Sequence, residues 1–379
     1  MGQPAKKLLI VINTDWFLVS HQLPIVKGAL AAGFQVFVAT QAGKRVSTIE
    51  KTGAQFVPFQ INRAGYNPFQ ELKVLWQLSR IYKKVQPDVV HLITIKPILY
   101  GSLISRLTKT RTLNALSGFG YALNQEKPTL TSRIIFTLMR LGFHKSTMIQ
   151  LFQNPWDYQA LIDKGVLTKD HQVAFVNGSG VNLEQFPFTP LPNNSSPLKI
   201  LLPARLLWDK GIGEFKAASE LLRKQYQGKL LFQMMGKVDL GNPAAITETE
   251  LRQMEVPGYF EWVPYQSDVV PFFQAASIIA LPSYHEGRPK ALLEACAIGR
   301  PILTTDIPGC RECVDHEKNG LLVPVKDAKA LAKAIDQLVY NPDLIQQMAK
   351  VGRAKAEAEF DVREVVAQHI RLYEALLEA

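Results

Sequence analysis

The sequence predicts an α/β protein built as two doubly wound domains that face each other across a cleft. Three observations carry this. Apolar strand-like runs alternate with helical patterns from one end of the chain to the other. The 379 residues exceed the length at which one hydrophobic core keeps growing. Finally, the alternation is broken once near the middle, by a proline-rich segment.

In the first half the strand-like runs are Leu8–Asn13, Phe34–Thr40, Phe56–Phe59, Val89–Ile93, Met148–Phe152 and Val173–Val176. Helical patterns fall between them near Ser20–Ala32, Phe69–Val85, Ile98–Leu107, Thr131–Gly142 and Pro155–Asp163. The break is Phe186-Pro-Phe-Thr-Pro-Leu-Pro-Asn-Asn-Ser-Ser-Pro197, whose four prolines continue neither helix nor sheet. The second half repeats the scheme with strands Lys199–Pro203, Leu230–Met235, Tyr259–Val263, Ile278–Pro282, Pro301–Thr305 and Gly320–Val323. An apolar stripe on Val362–Leu377 closes the chain as a helix. The expected divisions are a domain over residues 1–186, a linker 187–197, a second domain 198–360 and a terminal helix 361–379 that packs back on the first domain. Ligands of such sheets bind beyond the carboxyl ends of the strands.

Composition excludes several classes. No apolar run approaches the roughly 18–20 residues that span a bilayer. The run Leu8–Asn13 behind a basic start is too short for a signal-peptide core, so a cytoplasmic protein is expected. Three cysteines make no disulfide framework. Cys310 and Cys313, with His316 close behind, have the spacing of a metal site but no evident fourth ligand, and they read as small buried residues. The charge is uneven: residues 1–190 hold 21 Lys+Arg against 9 Asp+Glu, and the remainder 22 against 24. A basic first half suits an anionic partner, either a phosphate-bearing lipid, a membrane surface or nucleic acid. The cations are not interleaved with a compact aromatic platform, which speaks against nucleic acid. Helix Thr131–Lys145 mixes aliphatics with Arg133, Arg140 and Lys145, and reads either as a core helix or as a face resting on an anionic bilayer.

The densest chemical signal is Ser283-Tyr-His-Glu-Gly-Arg-Pro-Lys-Ala-Leu-Leu-Glu294, directly after the strand Ile278–Pro282. Gly287 suits a tight turn and Pro289 suits a first helical position. The amides of Gly287, Arg288, Lys290 and Ala291 are then expected to face an anion at the helix start. Glu286 and Glu294 would lie about 12 Å apart at helical rise, enough for one to reach a sugar and the other a ribose. The second signal follows the strand Lys199–Pro203, where Arg205 and Lys210 can hold a departing diphosphate or simply pair with carboxylates. His21 opens the first long helix and His91 is read as ending its strand. Each can orient an acceptor hydroxyl or accept its proton, and each fits a structural role equally. Lys96, read in the loop after His91, suits an acceptor phosphate.

With these motifs the chain resembles the retaining glycosyltransferases of family four, of GT-B architecture with two Rossmann-like domains, and among them those that build capsule and O-antigen repeats. The resemblance runs through Phe17-Leu-Val-Ser-His-Gln-Leu-Pro24, Thr94-Ile-Lys-Pro-Ile-Leu-Tyr-Gly101, Ser117-Gly-Phe-Gly-Tyr121 and Phe152-Gln-Asn-Pro155. It continues through Asn177-Gly-Ser-Gly-Val-Asn182, Ala204-Arg205, Asp209-Lys-Gly211, Glu286-Gly-Arg-Pro-Lys290 with Glu294, and Pro308-Gly-Cys-Arg-Glu312. It implies that Arg205 and Lys210 bind the donor diphosphate, Glu286 contacts the transferring sugar, Glu294 holds the ribose and Gly236 lies near the nucleotide. Tyr121 joins His21 and Lys96 on the acceptor side. The implied reaction moves a hexose or N-acetylhexosamine from a nucleotide sugar, UDP by preference, to a polyprenyl-diphosphate-linked saccharide at the inner-membrane surface. With no Asp-x-Asp in the chain, transfer without a divalent metal or other cofactor is expected. Two departures stand out: Asn13-Thr-Asp-Trp-Phe17 replaces the usual Gly-Gly loop, and Arg288 sits at a position more often apolar. Two other readings of the same residues are a nucleotide-sugar epimerase, which needs no acceptor, and a non-catalytic nucleotide-sugar binder.

Overall fold

The computed structural model describes residues 5–62, 67–116, 129–192, 197–239, 241–242 and 244–378. It resolves into two compact units, Met1–Ser179 with Arg363–Ala379, and Gly180–Val362.

The first unit carries seven strands: β1 Lys7–Thr14, β2 Gln35–Gln41, β3 Gln55–Pro58, β4 Val89–Ile93, β5 Arg111–Leu116, β6 Met148–Phe152 and β7 Gln172–Phe175. They lie in the order β3-β2-β1-β4-β5-β6-β7, every pairing parallel. The second unit has six, β8 Leu198–Pro203, β9 Leu230–Gly236, β10 Phe260–Pro264, β11 Ile278–Leu281, β12 Ile302–Thr305 and β13 Gly320–Val323. Their order is β10-β9-β8-β11-β12-β13, again parallel throughout. Parallel strands need crossover helices on both faces, so central strands are buried twice over. Leu8, Leu9, Ile10, Val11 and Ile12 of β1 are accordingly fully buried.

In the first unit, α1 (Leu23–Ala31) lies on one sheet face. The other carries α3 (Pro68–Val85), α4 (Ile95–Thr108) and α5 (Leu130–Gly142), while α2 (Val46–Glu50) and α6 (Pro155–Asp163) fill shorter connections. In the second unit the helices are α7 (Ile212–Leu222), α8 (Glu248–Met254), α9 (Val270–Ala275), α10 (Lys290–Ile298), α11 (Pro308–Arg311), α12 (Ala328–Tyr340) and α13 (Pro342–Glu359). The last helix, α14 (Val362–Glu378), packs almost entirely on the first unit beside α1, where a side chain added at Gly28 would run into Val366.

Strand β5 has no counterpart in the sequence reading. Its Arg-Thr-Leu-Asn-Ala-Leu is too polar to look like a central strand, yet Thr112 and Asn114 are fully buried. Asn114 is satisfied side chain to side chain, donating to Gln150 at 3.0 Å and accepting from Ser102 at 3.0 Å. Buried amides with such partners cost little. The proline-rich segment from Phe186 onward lies on the second unit, where the buried guanidinium of Arg300 donates to Thr189 O (2.7 Å) and Pro190 O (3.2 Å).

Each strand order reverses once, between β1 and β4 and between β8 and β11. Beside such a reversal the two flanking crossovers depart to opposite faces, leaving a crevice at the carboxyl ends. The crevice of the first unit is edged by residues 15–22 and 94–96. That of the second is edged by residues 204–211 and 282–289.

Candidate active site

In the second unit the segments leaving β8 and β11 meet backbone to backbone. Gly211 holds φ at +73°, and a side chain there would come within 2.0 Å of Pro282 O, so the position accepts only glycine. The turn Trp208–Lys210 before it aims Lys210 across the crevice, with Nζ 2.6 Å from Glu286 Oε1. Ser283 Oγ donates to the same carboxylate oxygen at 2.7 Å. Both partners of the ion pair are 13% exposed, so water screens the pair weakly. The amide of Tyr284 donates to Asp209 O at 2.9 Å. Its hydroxyl donates to both Glu214 oxygens (2.8 and 2.9 Å), and burial together with that carboxylate raises the phenol pKa.

Arg205 leaves the same strand end but pairs with a different carboxylate, Asp239 Oδ2 at 3.2 Å. Asp239 lies in the segment after β9, which is laced to residues 206–208 by Leu206 N to Lys237 O (3.1 Å) and Trp208 N to Ala244 O (2.8 Å). Gly236, at the end of β9, has a packing reason to be glycine: an added Cβ would sit 1.8 Å from Ala204 O. Asp239 was not anticipated as a neighbour of Arg205. Its proximity depends on the β8–β9 register, and no spacing in the sequence signals it.

The head of α10 differs in detail from the expectation. Pro289 is the capping residue with ψ 119°, and the helix begins at Lys290. The amides at the helix start are therefore those of Lys290 and Ala291, while Gly287 and Arg288 belong to the preceding turn. Only Lys290–Glu294 rises helically, about 6 Å, so the 12 Å separation expected between Glu286 and Glu294 does not follow. The turn is shaped from outside, since a side chain at Gly309 would come within 2.2 Å of Gly287 O and 2.4 Å of Glu286 O. The side chain of Arg288 is 4% exposed and bonds Glu312 at 3.1 Å, which ties the turn to the segment after α11. Glu294 is 8% exposed, with Lys290 Nζ 3.3 Å away. Burial raises its carboxyl pKa and Lys290 opposes the rise.

In the first unit the named residues behave differently. His91 is the third residue of β4, not its end, and is fully buried. Its Nδ1 is 2.8 Å from the hydroxyl of Tyr373 on α14, and the His369 ring is 5.5 Å away. Burial, aided by His369, holds its pKa well below the ordinary histidine value. The position expected for His91 is thus corrected: it packs inward because the inner face of β4 is covered by the terminal helix. Lys96 lies in the first turn of α4 rather than in a loop. It is 4% exposed and pairs with Glu71 at 2.7 Å, while Tyr100 donates to the other Glu71 oxygen at 2.6 Å. An acceptor phosphate would have to compete with that partly buried carboxylate. His21 does stand at the crevice, half-buried in the π-helical turn Leu18–Gln22, stacked on Phe17 at 4.4 Å with Ser20 Oγ 2.6 Å from Nδ1. Tyr121 lies outside the described residues.

Two further residues edge this crevice. Asp15, 6% exposed, accepts the amides of Trp16 and Arg45, each at 2.7 Å. Its carboxylate thus occupies backbone donors beside the position where the family's glycine pair is replaced. Thr94, between β4 and α4, holds φ at +73°, a region that a β-branched residue enters only under constraint. Its buried hydroxyl finds no partner among the described residues. The motif Thr94–Gly101 pointed at the segment, but nothing in it signalled a strained threonine.

Cys310 and Cys313 are both buried, which pushes the Cys310 thiol up to about 12, and His316 accepts the amide of Leu322 at 3.0 Å. Among the described residues no group of three or more His, Cys, Asp and Glu is placed to hold a metal ion. No described helix is long and apolar enough to cross a membrane.

Residues 7–154 match the family model Glycosyl transferase 4-like, and residues 186–355 match Glycosyl transferases group 1. Over 372 residues, 94% of this chain and 95% of the relative, the sequence is 26% identical to the N,N'-diacetylbacillosaminyl-diphospho-undecaprenol alpha-1,3-N-acetylgalactosaminyltransferase of Campylobacter jejuni. It is 22% identical to the capsular polysaccharide biosynthesis glycosyltransferase CapM of Staphylococcus aureus, covering 95% of this chain and 96% of that one. Among solved structures, Anabaena HepE in complex with UDP and glucose aligns with a TM-score of 0.78 at 15% identity, over 97% of this chain and 98% of that one. The lipopolysaccharide glycosyltransferase WaaG aligns at 0.71 and 15% identity, over 96% and 98%. Paired parallel sheets of seven and six strands are the GT-B fold of these enzymes. The chain belongs to the glycosyl transferases group 1, the family-four enzymes that take their sugar from a nucleotide donor.

Proposed function

We propose that this enzyme transfers a hexose or N-acetylhexosamine, with retention, from a nucleoside diphosphate sugar to a lipid-linked saccharide in bacterial surface-polysaccharide synthesis. The observation that carries the reading is the convergence of Lys210, Ser283 and Glu286 on one point of the second unit's crevice, at the head of α10. A donor diphosphate brings charge that Lys210, Arg205 and the amides of Lys290 and Ala291 can neutralise as the bond to the sugar breaks. Glu286, released from Lys210 by the diphosphate, is then left to accept hydroxyls of the sugar. Glu294 takes the ribose hydroxyls. With these groups carrying the leaving-group charge, transfer proceeds without a divalent metal.

UDP is the preferred base, in keeping with the HepE complexes, which contain UDP or UDP-glucose. A polyprenyl-diphosphate saccharide is the preferred acceptor, because the Campylobacter relative is named for one and is similar along nearly its whole length. In the first unit, His21 and the strained Thr94 at the crevice are the groups best placed for the acceptor; His91 and Lys96 support the scaffold. The enzyme works as a peripheral protein at the cytoplasmic face of the inner membrane.

The test is a panel of nucleotide sugars, followed by transfer assays with two variants. Glu294→Ala is expected to weaken donor binding about tenfold and Arg205→Ala mainly to slow turnover. Wild-type turnover in both variants would remove the assignment. Conversion of UDP-N-acetylhexosamine to an epimer without acceptor would identify an isomerase instead.

A further inference from the structure

We infer that the outer face of α3 is a docking surface for an anionic lipid bilayer. One face of this helix is core: Val74, Leu78, Ile81, Tyr82 and Val85 are buried. The opposite stripe begins with Phe69, Leu72 and Trp76, at i, i+3 and i+7, which are 85%, 63% and 57% exposed. It continues with Arg80, Lys83 and Lys84, and Lys73 flanks it, all four exposed. Isolated apolar side chains on a surface need no explanation, but three large ones within two turns of one helix form a patch.

The charge on this stripe is of one sign for a structural reason. The single acid of α3, Glu71, is held off the outer face by Lys96 at 2.7 Å and Tyr100 at 2.6 Å. What remains outside is an apolar half followed by a cationic half, joined where the Arg80 guanidinium lies 4.7 Å from the Trp76 ring. Aromatic and aliphatic side chains that can enter the headgroup region, bordered by cations with no competing acid, complement an anionic membrane.

Position supports the same partner. In a parallel sheet the crossover helix starts at the carboxyl end of the strand before it. The apolar half of α3 therefore lies at the crevice end of the first unit, and Glu71 ties its first turn to that of α4 next to Thr94. A bilayer under Phe69, Leu72 and Trp76 would present a lipid-borne acceptor on the side where acceptor groups are proposed. The docking itself does not depend on which sugar is transferred.

Helix α5, which the sequence also offered for this role, presents less: its Ile135, Phe136 and Met139 are core, which leaves Leu130, Ile134 and Leu141 outside with Arg133 and Arg140, two cations against four and no exposed aromatic ring.

The experiment is sedimentation of the full-length protein with vesicles of phosphatidylcholine, with and without phosphatidylglycerol. The wild type should bind the anionic vesicles. The double variant Leu72→Ser/Trp76→Ser should lower that partition about tenfold. Lys83→Glu/Lys84→Glu should remove the preference for anionic lipid together with its salt dependence. Both variants should keep the wild-type melting temperature and the wild-type rate with a water-soluble acceptor, which separates this result from any failure of the proposed reaction. The inference is overturned if the wild type ignores anionic vesicles or if the α3 variants bind as it does. It is equally overturned if Arg133→Glu/Ile134→Ser removes binding while the α3 variants keep it, or if the α3 substitutions dissolve a wild-type dimer and leave vesicle binding intact.

Discussion

The two units share an architecture but use their polar residues in opposite ways. In the second, charged side chains singled out by motif gather at the crevice: Lys210 on Glu286, with Ser283 on the same oxygen and Arg205 held nearby by Asp239. In the first, two of the polar residues singled out are absorbed by the scaffold, His91 by Tyr373 and Lys96 by Glu71. A dense motif constrains several residues within one strand–turn–helix, and its geometry is largely local. A lone histidine or lysine in an apolar context is placed by whatever packs against it, which local sequence does not reveal.

The sharpest way to break this contrast is Glu71→Ala, which would leave Lys96 buried without its carboxylate. A loss of roughly 3–5 kcal/mol of stability is expected, read by denaturant unfolding. An unchanged midpoint would mean that Lys96 is held for function instead. Next is Lys210→Ala, expected to slow transfer about 10²–10³-fold while lowering the unfolding midpoint less than Glu71→Ala does, because Ser283 still donates to Glu286. The reverse pattern would make the Lys210–Glu286 pair a scaffold element like those of the first unit.

A comparable effect should follow pH. His369 is held at about 4 by burial, and His91 is depressed by burial and by His369. Below the ordinary histidine value the unfolded chain takes up protons that the folded unit refuses. The stability contributed by keeping both rings neutral is thus complete above about pH 6.5 and falls as pH drops toward 4, by about 1.4 kcal/mol per pH unit for each ring. Melting temperatures measured between neutrality and about pH 5 should show this slope, and His369→Gln should flatten it. A slope equal to that of the wild type would clear the cluster of any part in acid sensitivity.

The smallest effect belongs to the pair most open to water. Arg205 is 41% exposed, so freeing it by Asp239→Asn should tighten UDP binding only about twofold, measured by calorimetry. Weaker binding would instead make Asp239 a donor contact.

All six strands read in the second half are present, because each is a short, largely apolar run between breakers. The same rule failed for β5, whose Asn114 passes as a loop residue until Gln150 and Ser102 are beside it. The motif from Ser283 to Glu294 pointed at a strand–turn–helix that edges the second unit's crevice but misjudged its helix start by one residue, since cap geometry depends on the neighbouring Gly309 segment. Asp15 and Thr94 went unnoticed for a related reason: a buried acceptor and a strained backbone leave no mark on composition or periodicity.

By itself the chain determined its alternation of elements, the parallel character of both sheets and the residues at the head of α10. These follow from local pattern and from the short reach of a strand–turn–helix. The tertiary structure alone decided which polar side chains face a crevice and which face the core. Partnership between residues as distant as His91 and Tyr373, or Arg205 and Asp239, exists only once register and helix packing bring their atoms within bonding distance.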